Sequence, residues 1–389
     1  MVMSSMAFSI FVIFVGAAVL TTLALYARQA MLVAYILLGV MLGPWGFGLI
    51  SDTALIEDIG NIGIMFLLYL LGLDLLPQQL WRMLGEALRV TLVSSALFCS
   101  LGFAMGWFFG FPVWDALLIG IVFVFSSTII GLKLLPTTTL HHRHTGQVII
   151  SVLLIQDLIA ITVLLLLQGY GKGGDLVLDI GTQLLYLPVL IIISYLIERF
   201  VLIKLIARFD QIHEYIFLLA IAWCLGIAEL SVVLGLSREI GAFIAGVTLA
   251  ASPIALFITE RLKPLRDFFL IMFFFALGAS FNVGVLMDVL IPALALALAV
   301  LAIKPYIFKT LLVQAGETKQ MSMEVGVRLG QLSEFSLLIA VLAAKTLFIA
   351  EQTSYLIEMA TLFTFIVSPY LIVMRFPTPI AVTDRLRRD

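Results

Sequence analysis

Hydrophobic positions run along this chain in long unbroken stretches with short polar interruptions between them. Thirteen such stretches can form helices, at residues 7–26, 31–42, 59–73, 90–109, 116–132, 148–167 and 184–197, then 215–234, 240–251, 268–281, 289–308, 329–344 and 355–374. Apolar residues surround these helices on all sides instead of marking one stripe, a pattern that is stable only with lipid or other apolar helices as solvent. Several stretches fall short of the roughly 20 residues a lone span needs, so the pattern predicts that protein surrounds them. The expected fold class is an all-α polytopic membrane protein with 13 transmembrane helices.

Composition narrows the function classes. Hydrophobic residues make up 62% of the 389 positions and charged residues 12%, about half the charge of a soluble domain, which excludes the water-soluble enzymes. A net charge of −2 with scattered basic residues offers no field for nucleic acid. Cys99 and Cys224 lie inside apolar stretches and read as small core residues. No removable signal peptide is expected at the N-terminus. With the N-terminus placed outside, 18 of the 22 Lys and Arg residues fall on cytoplasmic loops; only Lys172, Arg238 and Lys345 fall outside, and Lys304 lies within a span. The C-terminus is then cytoplasmic.

The chain also matches itself at one offset near 207 residues. Gly39-Val40-Met41-Leu42 recurs as Gly246-Val247-Thr248-Leu249, Leu71-Gly72 as Leu277-Gly278, and Ser126 falls on Ser333. Seven helices separate the copies, and an odd number inverts the second copy in the membrane. The expected domain plan is a transmembrane domain over residues 1–374, with repeat one at about 7–168, a linker helix at about 184–202 and repeat two at about 215–374. A short cytoplasmic tail, 375–389, follows. Inverted repeats are the architecture of secondary transporters, whose sites lie at mid-membrane between broken helices.

Charge buried in such spans marks candidate chemistry. Asp157, preceded by Gln156, sits at the centre of an apolar helix, where ionic groups mark ion and proton pathways. Cation and proton would compete for this one carboxylate, which is itself a coupling mechanism. Lys304 lies deep in its span beside Pro305 and reads as a counter-charge either to Asp157 or to the carbonyl ends of broken helices. Ser126, Ser127 and Thr128 occupy mid-span, and the second copy holds Gln331, Ser333 and Glu334 there; Gln156, Ser127 and Thr128 are candidate cation and proton ligands beside Asp157, with Lys304, Ser126, Gln331, Ser333 and Glu334 in support. Both segments are expected to unwind. Glu334 is either a second site carboxylate or a group hydrogen-bonded to amides freed at a break. His141, His142 and His144 read as a solvated loop. His213-Glu214 lacks the second ligand of a zinc protease, since Phe217 stands in its place, and Asp74 lies too near a helix end to pair with Asp157 as an aspartyl protease.

These residues resemble the monovalent cation:proton antiporter-2 family, and within it the membrane domain of the Kef-type potassium:proton antiporters. The resemblance rests on Gly43-Pro44-Trp45-Gly46, Leu71-Gly72-Leu73-Asp74 with Leu80-Trp81, Ser126-Ser127-Thr128, Gln156-Asp157, Gly241-Ala242-Phe243-Ile244-Ala245-Gly246, and Gly330-Gln331 with Glu334-Phe335. It implies a homodimer in the bacterial inner membrane whose scaffold holds still while a six-helix core carries the site across. It further implies Asp157 as the shared ligand of a monovalent cation and a proton, and Gln156 in place of the second aspartate of electrogenic relatives, which points to potassium. Ser333 departs from the glycine usual before Glu-Phe. Only Arg375 to Asp389 follows the last span, so the nucleotide-binding regulatory domain of many Kef-type proteins is expected to be missing from this sequence. Either the sequence is a truncated or single-domain form, or a separate regulatory subunit is a partner. Potassium or sodium and protons are substrates, with no resident cofactor and no catalytic residue. The alternatives are a sodium:proton antiporter, a cation channel or a bile-acid-type symporter.

Overall fold

The structure is a computed structural model that describes residues 6–27, 29, 31–50, 52–74, 86–134, 144–170, 176–209, 212–250, 252 and 255–378. His141, His142, Lys172 and the Leu80-Trp81 pair lie outside these residues. The helices, in chain order, are α1 (Met6–Tyr26), α2 (Met31–Leu42), α3 (Thr53–Asp74), α4 (Glu86–Phe108), α5 (Val113–Val124), α6 (Thr128–Lys133), α7 (His144–Tyr170) and α8 (Leu176–Ile197). A π turn, Glu198–Leu202, carries α8 into α9 (Ile203–Arg208). There follow α10 (His213–Val233), α11 (Arg238–Ala250), α12 (Ala255–Ser280), α13 (Leu286–Gln314), α14 (Lys319–Arg328), α15 (Glu334–Lys345) and α16 (Glu351–Arg375). Eleven of the predicted stretches fall on single helices; 116–132 spans the interruption between α5 and α6, and 329–344 begins in the one between α14 and α15, which leaves α14 outside it. Among the described residues, six helices are long and apolar enough to cross a membrane unaided: Ala7–Tyr26, Ala87–Phe108, His144–Leu164, Glu214–Val233, Met287–Gln314 and Glu351–Arg375. Helices α3 and α12 begin well before the predicted stretches 59–73 and 268–281, because polar residues such as Glu57 and Asp58 in α3, and Glu260, Arg261, Lys263, Arg266 and Asp267 in α12, break the apolar run after the first turn.

The helices group into two compact units, and each draws on both halves of the sequence. One gathers Met1–Ala17, Tyr35–Trp81 and Gln168–Ser280; the other gathers Ala18–Ala34, Arg82–Leu167 and Phe281–Asp389.

The first unit is held by glycines at helix crossings. A Cβ on Gly39 of α2 would lie 2.1 Å from the Phe275 carbonyl of α12, and one on Gly278 of α12 would lie 2.0 Å from the Ile36 carbonyl of α2. Helices α3 and α11 repeat the arrangement: a Cβ on Gly72 would meet the Phe243 carbonyl at 2.5 Å, and one on Gly246 would meet the Tyr69 carbonyl at 2.1 Å. Backbone contact of this kind needs residues without side chains, and it is how apolar helices associate where no hydrophobic drive separates lipid from protein. The four glycines are the two repeat-related pairs of the sequence, so exchanging the copies converts one crossing into the other. Buried aromatics fasten the same unit through their polar tips, Tyr69 Oη donating to the Ala220 carbonyl at 3.1 Å and Trp223 Nε1 to that of Ala245 at 3.0 Å.

The second unit packs α4 on α5 and α13 against α14 and α16. It contains both interrupted helices and the helix that carries Asp157.

Candidate functional site

Both hydroxyl-rich segments are unwound. Helix α5 stops at Val124, Phe125 is extended at φ −79° and ψ 142°, and the helix resumes as α6 at Thr128. In the second copy α14 stops at Arg328 and α15 starts at Glu334. Each break frees backbone donors and acceptors that must find partners in a region without water.

The two breaks satisfy one another. The Ser126 hydroxyl donates to the Leu329 carbonyl at 2.8 Å, and the Ser336 hydroxyl of α15 donates to the Val122 carbonyl of α5 at 2.9 Å. Val122 and Leu329 are themselves 207 residues apart, so equivalent carbonyls receive a serine from the opposite copy. Gln331 Nε2 donates to the Arg328 carbonyl at 2.9 Å and to that of Ser127 at 3.4 Å. Ser127 Oγ accepts from the Ile130 amide at 3.2 Å and so caps α6.

Lys304 closes the crossing. Its ammonium is fully buried and donates to the Phe125 carbonyl at 2.9 Å, to Ser126 Oγ at 3.1 Å and to the Gln331 carbonyl at 3.1 Å. It also lies 5.1 Å from the centre of the Phe98 ring. Of the two roles open in the sequence, the structure takes the carbonyl ends of the broken helices, where a cation is favoured by the helix dipole. No ion pair joins Lys304 to Asp157 among the described residues. Helix α13 runs through Pro305 without a break.

Serine also resolves the departure at 333. Its backbone is extended at φ −115° and ψ 157°, a conformation any residue adopts, and its hydroxyl accepts from the Phe335 amide at 3.1 Å while Ser336 Oγ accepts from the Ser333 amide at 3.4 Å. Capping at this break therefore belongs to serines, with Thr364 of α16 accepting from the Leu332 amide at 3.2 Å. Glu334 stands on the first turn of α15.

Asp157 is 3% exposed on α7, and Gln156 beside it is fully buried. Gln156 Oε1 accepts from the Ser126 amide at 3.1 Å, which fixes the orientation of the side-chain amide and turns its NH2 group elsewhere. That Nε2 and the Thr128 hydroxyl are buried without a hydrogen-bond partner. Buried polar atoms are almost always paired, and here a hydroxyl and an amide keep bonding capacity to spare. The oxygens of Asp157 and Thr128 suit a monovalent cation. The Gln156 NH2 group suits an oxygen acceptor and cannot ligate a cation.

Three parts of the site escaped the sequence reading. Arg328, assigned there to a cytoplasmic loop, is fully buried: its guanidinium donates to the Leu134 carbonyl just beyond α6 at 2.9 Å, to the Pro377 carbonyl at 2.8 Å and to Glu324 at 3.0 Å. Thr364 and Ser368 of α16 were also missed, although hydroxyls at 361, 364 and 368 share one helix face. Ser368 Oγ donates to Gln331 Oε1 at 3.2 Å. The third, Phe98, carries no polar signal at all. Glu229 pairs with Arg238 at 2.7 Å on the exposed surface, away from this chemistry.

Comparison with known proteins agrees with this architecture. The chain resembles the iron transporter MagA of Paramagnetospirillum magneticum, 28% identical over 350 residues that make up 88% of this chain and 79% of that one. The structure of the sodium proton antiporter MjNhaP1 from Methanocaldococcus jannaschii superposes with a TM-score of 0.69 at 18% identity, over 93% of this chain and 94% of that one. A second map of the same antiporter gives a TM-score of 0.64 at 16% identity over the same shares. The protein is an integral membrane transporter and not an enzyme. Residues 10–374 match the family described as sodium/hydrogen exchanger, transmembrane, and the chain belongs to that family of cation:proton antiporters.

Proposed function

We propose that the protein exchanges cytoplasmic potassium for external protons, with Asp157 binding either one in turn. The observation that carries this reading is the placement of Lys304. Its ammonium is bound to the carbonyls of the breaks, so Asp157 has no resident counter-charge among the described residues and its ionised form is neutralised by cargo. Moving an ionised carboxylate through an apolar surround costs several kcal/mol, so the core crosses only when loaded with a cation or a proton. Binding and release at one carboxylate then couple the two fluxes without leak.

Potassium, in preference to sodium, rests on the Gln156-Asp157 pair and its likeness to Kef-type antiporters. The remaining features follow from the same reading: thirteen spans in two inverted repeats, N-terminus outside and C-terminus inside, a homodimer in the bacterial inner membrane, and elevator movement of the site-bearing core. The glycine pairs Gly39–Gly278 and Gly72–Gly246, and the paired carbonyls Val122 and Leu329, support the repeat.

The test is proton flux in proteoliposomes carrying an internal pH dye, with potassium, sodium, lithium and ferrous iron added in turn to wild type and Asp157→Asn. Potassium-driven flux lost in Asp157→Asn is the expected result. Response to sodium alone would transfer the assignment to sodium:proton exchange, and equal flux in the variant would overturn the role of Asp157.

A further inference from the structure

Glu358 is an acid that the exchange at Asp157 does not use. It lies on α16, is 5% exposed, and its Oε1 accepts from the Ser354 hydroxyl one turn earlier at 2.9 Å. No cation pairs with it among the described residues. The helices packed on α16 carry Asp115 on α5, Asp288, Lys304, Tyr306 and Lys309 on α13, Lys319, Glu324 and Arg328 on α14, and Glu334 and Lys345 on α15. None of these forms an ion pair or hydrogen bond with Glu358. On its own helix Tyr355 senses both Glu351 and Glu358. A carboxylate buried with one hydroxyl donor and no counter-charge is tolerated as the neutral acid.

Its position gives that proton a use. At the start of α16 the Asp115 carboxylate accepts from the Ala350 amide at 3.2 Å and from the Thr353 hydroxyl. Beyond it lie Ser354, Glu358, Thr361, Thr364 and Ser368, all buried, and the last two bond to Leu332 and Gln331 at the second break. At 1.5 Å per residue Glu358 stands about 9 Å along the helix from Thr364, between the Asp115 end and the crossing. We propose that Glu358 is a second proton-binding station, whose carboxylate takes up a proton from the Asp115 side and gives it up along the hydroxyl face of α16 to the Asp157 carboxylate.

This proposal rests on proton exchange at Asp157, and the test separates the two. Proteoliposome flux is measured from pH 6 to 9 for wild type, Asp157→Asn, Glu358→Gln and Glu358→Asp, with melting of each purified protein. Glu358→Gln keeps the bond to Ser354 and removes the proton. The expected result is at least tenfold slower exchange in Glu358→Gln, most severe at alkaline pH where protons are scarce, with an unchanged cation KM; Glu358→Asp retains exchange with a displaced pH profile. Wild-type rates in Glu358→Gln at every pH would overturn the station and leave Asp157 untouched. Loss of Asp157 dependence in the wild type would overturn the underlying reading instead. If Glu358→Gln does not fold, the infrared carboxylic C=O band of folded Asp157→Asn protein decides. A band at pH 7 that vanishes on alkalinisation and shifts in Asp157→Asn/Glu358→Asp supports the station, and an unshifted spectrum overturns it.

Discussion

Lys304 donates a 2.9 Å hydrogen bond to the carbonyl of Phe125, 179 residues away in sequence, and through that bond a buried cation holds open the unwound centre of another helix. The same ammonium reaches the Gln331 carbonyl at 3.1 Å, so one side chain serves both breaks. A fixed positive charge thereby replaces the donors that continued helix would have supplied.

Removing that charge should damage the fold before it damages selectivity. Lys304→Ala strips donors from two carbonyls and a hydroxyl, a loss on the order of 3–5 kcal/mol by analogy with broken buried pairs. Thermal unfolding in detergent should show a clearly lower Tm for Lys304→Ala, with Lys304→Arg recovering part of it. An unchanged Tm in Lys304→Ala would show that the crossing does not depend on this residue.

Ser333 acts as a cap with no special backbone demand, so its replacements should follow the order of caps. Ser333→Ala should destabilise by about 1 kcal/mol and Ser333→Gly by only a few tenths. Denaturant unfolding of the purified variants measures the difference, and a Ser333→Gly variant more stable than wild type would show that glycine's conformational freedom is what this position lacks.

The glycine crossings give a contrast within one unit. Gly246→Ala puts a methyl group 2.1 Å from the Tyr69 carbonyl and should lower stability by about 1–3 kcal/mol or more as α3 and α11 are forced apart. Gly226→Ala on α10 meets nothing within 4 Å and should be neutral or stabilising by up to about 1 kcal/mol through helix propensity. Melting curves of the two variants side by side should diverge in sign.

One carboxylate beside a glutamine amide binds one proton or one monovalent cation, so exchange should move no net charge. Solid-supported-membrane recordings should show little sustained current during cation-driven proton flux, and the rate should barely respond to an imposed potential. A steady current of fixed sign would mean that each cycle moves more than one proton per cation, which overturns the one-for-one exchange.

The sequence by itself determined the helical membrane class, because apolar runs and loop charges are local quantities set by lipid and need no partner. It also located both breaks, since Ser126 and Ser333 stand 207 residues apart in hydroxyl-rich centres, and it singled out Asp157 because an acid in an apolar helix is costly wherever the helix packs. Tertiary structure alone decided who pairs with whom. Lys304 could serve Asp157 or the helix ends until the crossing brought the Phe125 and Gln331 carbonyls within its reach. Arg328 read as a loop cation because its acceptors, at Leu134 and Pro377, lie far along the chain in both directions. Gln156 read as a ligand until the Ser126 amide claimed its oxygen. Hydropathy reports whether a residue is away from water; which buried partner satisfies it depends on distances that only the folded chain sets.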